Sequence, residues 1–172
     1  MIAIKSAGIK DLEVVHQLAY EIWPAAYSEI LSVEQLEYML EKFYSLPSLQ
    51  HQVTVLHHQF ILVKENDIAI GFASFSPHKE DDPAIYHLNK IYVLPRQQGK
   101  NIGKQILDYV IDQIKIAGAT SLQLNVNRNN TALYFYEKQG FKIIREEDID
   151  IDQGYFMNDY VMELSISNWT YH

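Results

Sequence analysis

The sequence predicts a mixed α+β fold: a central, mostly antiparallel sheet with one parallel strand pair and helices on its flanks. Three observations predict it. Residues 85–94, 101–117 and 121–127 read as strand, helix and strand in direct succession, and such a βαβ unit sets its two strands parallel with a right-handed crossover. The other strand-like runs are joined by short turns, which makes them antiparallel neighbours. Further helical stretches lie outside that unit and are available to cover the sheet.

Ile2 and Ile4 open a short strand. Leu12, Val15, Leu18, Ala19 and Ile22 recur at helical spacing up to Pro24, where the missing N–H is expected to stop the helix. Ser32 followed by Gln35 is a capping-box start for a helix carrying Val33, Leu36, Met39, Leu40 and Phe43, and Pro47 is expected to close that region. Runs 53–56, 60–64 and 68–76 read as strands, the last two joined by a turn at Glu65-Asn66-Asp67. Ile102, Ile106, Leu107, Val110, Ile111 and Ile114 trace one face of the 101–117 helix, with Gly118 as its stop. Leu122, Leu124 and Val126 alternate with Gln123, Asn125 and Asn127, the signature of a half-buried strand. A short helix from Asn130 to Lys138 ends at Gly140, and strands near 141–149 and 155–166 complete the reading.

With 172 residues, 48% of them hydrophobic, the sequence has the size of one domain with an ordinary core. It holds no cysteine, which excludes a disulfide framework, a thiolate nucleophile and a zinc–thiolate site. The apolar run at residues 1–5 is too short for a signal peptide and no later stretch reaches the length of a membrane span, so a cytoplasmic location is expected. The formal net charge of -8 disfavours nucleic acid and anionic membranes as partners and favours cationic ones.

Against that acidity, residues 84–107 contain no acid, yet Lys90, Arg96, Lys100 and Lys104 lie among them. The basic turn opens the 101–117 helix, whose unpaired backbone N–H groups and dipole favour an anion. Gly99 and Gly103 let the backbone approach a ligand or adopt positive φ, as a phosphate-cradling nest requires. The ligand is therefore expected to be negative and phosphorylated. A P-loop is excluded because Gly99 and Gly103 enclose three residues and Gln105 follows Lys104. A dinucleotide fingerprint fails as well, since position 101 is Asn.

The loop Arg96-x-x-Gly99-x-Asn101-x-Gly103, followed later by Asn129-x-x-Ala132-x-x-x-Tyr136-Glu137-Lys138-x-Gly140-Phe141, resembles the GNAT N-acetyltransferase superfamily. The resemblance extends over the element order from Met1 to about Ile166. Ile22-Trp23-Pro24 through Tyr27, with Ile30-Leu31-Ser32 and Glu34-Gln35-Leu36, is similar to bacterial small-amine and polyamine acetyltransferases of that superfamily. The resemblance implies a single N-acetyltransferase domain over residues 1–172, with acetyl-CoA as donor and a primary amine as acceptor, a small amine or polyamine first. It also implies that the two parallel strands splay, so that the pantetheine arm pairs with backbone at Ile91, Tyr92 and Val93. The pyrophosphate would sit on Gln98, Gly99, Lys100, Asn101, Ile102, Gly103 and Lys104, with Arg96 at the start of the loop. Members usually carry Gly or Ala where this chain has Asn101, and Asn tolerates left-handed backbone better than most residues. Asn129 and Asn130 would lie near the pantetheine or adenosine end, with helix N-capping as the alternative role for one of them.

Acetyl transfer from a thioester to an amine needs a neutral nucleophile, a stabilised oxyanion and a protonated leaving thiolate. Tyr136 matches the position from which the family donates to the departing sulfur, and a phenol stays protonated at working pH. Its alternative role is aromatic packing beside Tyr134 and Phe135. A backbone N–H near Ile91–Val93 would hold the oxyanion. Positions 85, 87 and 89 are Ile, His and Asn, so His87 is the candidate acceptor of the amine proton, directly or through water. A hydrogen-bonded strand histidine is the alternative, and Asn125 can at most position a water.

His16, His51, His57, His58, His78 and His172 lack metal-ligand spacing, with His57 and His58 expected on opposite faces of a strand, and no metal is expected. Glu146, Glu147, Asp148, Asp150 and Asp152 read as a solvated strand and loop; the resemblance implies that this connection borders the acceptor pocket, where they would attract a cationic amine, with Trp23, Tyr27 and Tyr38 as the other wall or, by default, as apolar packing. Two other readings stand beside the main one. A catalytically silent acyl-CoA-binding regulatory domain is motivated by the missing carboxylate base and by Asn101. An acetyltransferase of protein N-termini or lysines keeps the chemistry and changes the acceptor. A homodimer is the expectation from the frequency of two-fold oligomers.

Overall fold

In the computed structural model, which describes residues 1–79 and 81–171, strand β1 (Ile2–Ala7) is followed by three helices, α1 (Leu12–Tyr27), α2 (Val33–Tyr44) and α3 (Leu46–Thr54). Strands β2 (Gln59–Glu65), β3 (Ile68–Lys79) and β4 (Asp82–Val93) come next, then α4 (Ile102–Ile116), β5 (Ser121–Asn127), α5 (Ala132–Gln139), β6 (Lys142–Asp150) and β7 (Phe156–Ser165). The chain forms two compact units. One comprises Met1–Ser76 with Lys90–Tyr109, the other Pro77–Asn89 with the chain from Val110 onward, so β3, β4 and α4 each contribute to both.

In the first unit the strand order is β1-β2-β3-β4. β1 pairs antiparallel with β2 from Ile2↔Glu65 to Ala7↔Phe60, and β2 pairs antiparallel with β3. The β2–β3 turn puts both Asn66 and Asp67 at positive φ, 51° and 69°, the conformation that matches the twist of a two-residue hairpin and that these residue types tolerate. Phe60, Ile61, Leu62 and Val63 are all buried, so β2 is covered on both faces and its continuous apolar run follows. Leu12, Val15, Leu18, Ala19, Ile22 and Trp23 form the buried stripe of α1, which packs on α2 and α3.

Three expectations fail here. α1 runs through Pro24 to Tyr27, because Ser28 N donates to the Pro24 carbonyl at 3.1 Å and the helix resumes past the one donor that proline lacks. Pro47 opens α3 instead of closing the region: it stands in the first turn, where its N–H would be unpaired anyway, and the Ser45 side chain accepts from Ser48 N at 3.3 Å as the cap. Residues 53–56 are not a strand. Val53 and Thr54 end α3, and His57 sits at φ 58° in the following turn, so His57 and His58 do not present opposite faces of a strand.

In the second unit the order is β4-β5-β7-β6. The parallel ladder runs from Ile85↔Ser121 to Leu88↔Leu124, and both strands continue past it. β5 pairs antiparallel with β7, and β7 with β6, where the register shifts between Ile143 and Arg145. The mixed α+β architecture is thus the one expected. α5 ends at Gly140 with φ 105°, a left-handed C-cap, and a Cβ there would meet Leu164 Cδ1 at 3.3 Å. Among the described residues no helix is long and apolar enough to cross a membrane.

Candidate active site

The basic loop of the first unit has the backbone of an anion cradle. Leu94 N donates to Ile70 O at 2.8 Å and anchors the end of β4, after which Pro95–Gln97 make one 3-10 turn. Gly99 then takes φ 84° and Asn101 φ 63°, two left-handed positions separated by one residue, directly before α4 begins at Ile102. Alternation of this kind turns successive N–H groups toward one side, next to the unpaired donors of the helix start. Asn at 101 therefore holds a left-handed position where glycine is the usual solution.

The cations of this loop are not bare. Arg96 Nη1 lies 3.4 Å from Glu21 Oε1 of α1, and Lys100 Nζ lies 3.6 Å from Glu65 Oε2 while donating to Gln97 Oε1 at 2.8 Å. Lys104 turns inward: its side chain is 7% exposed and pairs with Asp108 one helical turn on. Arg96 and Lys100 are 60% and 49% exposed, so their pairs are weak and exchangeable. Fixed donation in the loop thus comes from backbone N–H groups, with Arg96 and Lys100 as mobile charge. Gln98 is exposed and reaches back to Val93 O at 3.5 Å, whereas its neighbour Gln97 is buried.

Ile91, Tyr92 and Val93 are half-buried although Leu88 and Leu94 on either side are fully buried. The Tyr92 hydroxyl is 2.9 Å from that of Tyr27, and its ring lies 5.7 Å from Phe72 and 5.8 Å from Trp23. Trp23 is a core residue whose ring lies tilted against Tyr27 at 4.6 Å and meets Tyr44 edge-on at 5.3 Å. Tyr27 is half-buried, and Tyr38 is placed beneath Lys42 Nζ at 5.9 Å. Lys90, on the same side of β4 as Tyr92, holds its Nζ 5.1 Å over the Tyr44 ring and 6.0 Å over Phe60. Loss of hydration lowers its ammonium from the ordinary lysine range to about 8.

In the second unit His87 stands in a polar file. Its Nδ1 is 3.0 Å from Asn89 Oδ1 and its Nε2 3.0 Å from Asn125 Oδ1. Asn125 Nδ2 in turn donates to Asp159 Oδ2 at 3.2 Å, and Arg128 Nη1 donates to the Asp159 carbonyl at 3.2 Å. Burial pushes the Asp159 carboxyl up from its usual range, and the Asn125 hydrogen bond works in the opposite direction. Beside this file Gln123 is buried and donates to Glu163 Oε2 at 2.7 Å. The polar face of β5 is therefore largely enclosed, which alternation of residue types does not reveal. Asp159 and Gln123 were absent from the sequence-predicted set because nothing local marks a polar strand residue as buried.

Tyr136 is buried on α5 with its ring 5.3 Å from Phe135 and 5.8 Å from Phe141, the aromatic packing named as its alternative role. Asn130 Oδ1 accepts from Ala132 N at 2.9 Å in a turn one residue ahead of the N-cap of α5, which is Thr131, so neither asparagine occupies the N-cap position. Asn129 is exposed, and its N–H donates to Asn127 Oδ1 at 2.8 Å.

The acidic run of the second unit is engaged within the chain. Arg128 Nη2 bonds Asp148 and its Nη1 reaches Glu146, Arg145 Nε donates to Glu147 Oε1 at 2.8 Å, and Asp150 Oδ1 accepts from Asp152 N at 2.8 Å. Among the described residues no group of three or more His, Asp or Glu side chains is arranged to hold a metal ion; His172 lies outside them.

Comparison with known proteins agrees with this geometry. Residues 27–164 match the family model of the acetyltransferase (GNAT) domain. The chain is 29% identical over 169 residues to the spermidine N(1)-acetyltransferase of Thermoplasma acidophilum, covering 94% of this chain and 96% of that protein. It is 35% identical over 92 residues to the ribosomal protein bS18-alanine N-acetyltransferase of Haemophilus influenzae, covering 54% of this chain and 57% of that protein. The crystal structure of the PaiA N-acetyltransferase from Thermoplasma acidophilum in complex with coenzyme A superposes with a TM-score of 0.80 at 28% identity, over 96% of this chain and 99% of that one. A family model that spans most of the chain, on a mixed sheet with one parallel pair, settles the assignment: this chain belongs to the GNAT family and is an acetyltransferase enzyme.

Proposed function

We propose that residues 1–172 act as one acetyltransferase domain that moves the acetyl group of acetyl-CoA directly to a primary amine, a small amine or polyamine first. The observation that carries the reading is the pair of left-handed residues Gly99 and Asn101 at the start of α4, which supports reading this loop as a backbone cradle for a pyrophosphate. In this reading Gln98 to Lys104 supply the cradle, with Arg96 and Lys100 as mobile counter-charge. The backbone of Ile91, Tyr92 and Val93 runs beside the pantetheine arm, and Asn129 lies toward one end of the cofactor. The inward course of Lys104 leaves its backbone N–H, not its ammonium, as its contribution.

The chemistry divides among three groups. The amine attacks the thioester carbonyl carbon, and a strand N–H stabilises the oxyanion that forms. His87 takes the proton that the amine gives up as its nitrogen bonds to the carbonyl carbon, and as the intermediate collapses and the C–S bond breaks the Tyr136 hydroxyl protonates the departing thiolate. An amine acceptor of small cationic type is supported by the overall acidity and by the name of the full-length Thermoplasma relative. The second relative, matched over about half the chain, is named for an alanine N-terminus, so a peptide acceptor is the competing substrate class.

The test is free-thiol release from acetyl-CoA with a panel of amines: spermidine, spermine, shorter diamines, free amino acids and a peptide with N-terminal alanine. Fastest release with the polyamines, with the acetylated product confirmed by mass, is expected. Fastest release with the peptide overturns the acceptor class, and coenzyme A binding with no release across the panel replaces the enzyme reading by a silent acyl-CoA-binding domain. His87→Gln is expected to shift the amine-dependent pH profile of turnover, and an unchanged profile removes His87 as the base.

A further inference from the structure

We infer that Tyr27 is a positioning residue for the transfer step: through the hydrogen bond between its hydroxyl and that of Tyr92, it holds the strand segment Ile91–Val93 where a backbone N–H meets the oxyanion. The inference rests on the proposed course of the cofactor along that segment, and it adds what keeps the segment still.

Strand geometry selects the donors. Leu94 N donates to Ile70 O on β3 at 2.8 Å. Backbone groups of successive extended residues point to opposite edges of a strand, so Tyr92 directs its N–H toward β3 as Leu94 does, and Ile91 and Val93 direct theirs to the other edge. The Val93 carbonyl fits this alternation, because it is the loop residue Gln98 that reaches it, at 3.5 Å. The two N–H groups turned away from β3 therefore stand on either side of Tyr92, and a displacement of Tyr92 moves both.

Tyr92 is held from two directions. On β3, Gly71 comes so near that a Cβ there would lie 2.7 Å from the Tyr92 carbonyl oxygen, a close approach that only glycine permits. On the helix-covered face its ring lies 5.7 Å from Phe72 and 5.8 Å from Trp23. Apolar contacts of this kind have little directionality, whereas the 2.9 Å bond to the Tyr27 hydroxyl depends on angle as well as distance. It forms whichever of the two phenols donates, since each can donate and accept. Both residues are half-buried, which shields the bond from part of the competing water.

Tyr27 reaches this point because α1 does not stop at Pro24. It is the last residue of the helix, one turn beyond Trp23 on the same face, with the two rings 4.6 Å apart. Trp23 is 5% exposed and seated edge-on against Tyr44, so the end of α1 is fixed in the core and Tyr27 passes that rigidity to Tyr92 across 65 positions of chain.

Tyr27→Phe and Tyr92→Phe each remove one hydroxyl and keep the ring. Each is expected to lower turnover by about tenfold, with coenzyme A affinity and acceptor KM near the parent values, and the protein with both substitutions is expected to fall no further because the same bond is lost in all three. Amide hydrogen exchange at Leu94, whose N–H is bonded to Ile70, is expected to quicken in all three, a readout that needs no turnover. Unchanged turnover or unchanged Leu94 exchange in either single variant overturns the inference, and so do losses that multiply in the double variant. A rise in acceptor KM that differs from one amine to another overturns it as well, since it would put the Tyr27 hydroxyl on the acceptor. Should the parent turn over no amine at all, quickened Leu94 exchange in the three variants leaves the clamp standing while the transfer reading falls, and unchanged exchange removes the clamp too.

Discussion

Gly71 on β3 lies so close to β4 that a Cβ on it would stand 2.7 Å from the Tyr92 carbonyl oxygen and 3.3 Å from Val93 Cα. The contact is with backbone, so a larger residue cannot be accommodated by a side-chain rotation; β3 or β4 must move. Gly71→Ala is expected to destabilise the protein by about 1–3 kcal/mol, the usual range for overpacking. Urea denaturation of the two proteins checks it, and equal midpoints would show that the strands yield at no cost.

Asn101 supplies a second prediction. At φ 63° it occupies a region that costs an ordinary L-residue about 1–2 kcal/mol, less for Asn and nothing for glycine. Asn101→Gly is expected to bind coenzyme A with affinity within about threefold of the parent, while Asn101→Val is expected to lose about tenfold or more because a β-branched side chain resists this conformation. Calorimetric titration with coenzyme A distinguishes them. Equal loss in both variants would assign the contribution to the Asn101 side chain and not to its backbone.

Removal of the Tyr136 hydroxyl tests the acid. The ring packs against Phe135 and Phe141, and Phe preserves that packing. Tyr136→Phe is expected to lower turnover by about 100-fold while coenzyme A affinity stays near the parent value, as removal of a general acid does. Steady-state kinetics together with cofactor titration reads both quantities, and unchanged turnover would leave the residue with a packing role alone.

Lys90 predicts a pH-dependent stability difference. Its folded value of about 8 lies below the ordinary 10.5, so above 10.5 the amine is neutral folded or unfolded and carries no penalty. Between those two values the unfolded chain binds a proton that the folded chain does not, and stability rises with pH across that window. Below the folded value both states are protonated and the full desolvation cost is present. Lys90→Met is therefore expected to be more stable than the parent near neutrality, by about 1–3 kcal/mol from the shift alone. That advantage should shrink as pH is raised through the window, and paired urea denaturation at about pH 7 and about pH 9.5 measures it. An advantage that does not change with pH would place the ammonium in water.

Several elements around the candidate site were legible in local patterns. The apolar face of α4, its glycine-marked start and the short α5 with its Gly140 end were read from spacing alone, since each depends on residues within a few positions of one another. The cation–acid pairings were not. Residues 84–107 look bare of acid, yet Glu21 comes from α1 and Glu65 from β2, and only folding brings them to Arg96 and Lys100. The two proline readings failed for a related reason. A proline removes one donor, and its effect depends on where it falls: α1 runs on past Pro24, whose carbonyl accepts from Ser28 N, and Pro47 stands in the first turn of α3.

Local sequence suffices for the succession of elements outside residues 46–56, for the net charge of -8, for left-handed backbone at Gly99 and for the apolar faces of α1 and α4. These follow from steric and periodic rules that act over one or two turns of chain. Tertiary structure alone settles the state of the polar groups: Lys104 turned inward to Asp108, Lys90 partly desolvated above two rings, and His87 tied through Asn125 to Asp159. Hydration and hydrogen-bond partners are set by residues distant in the chain, so the chemistry of a titratable side chain is fixed only when those neighbours arrive.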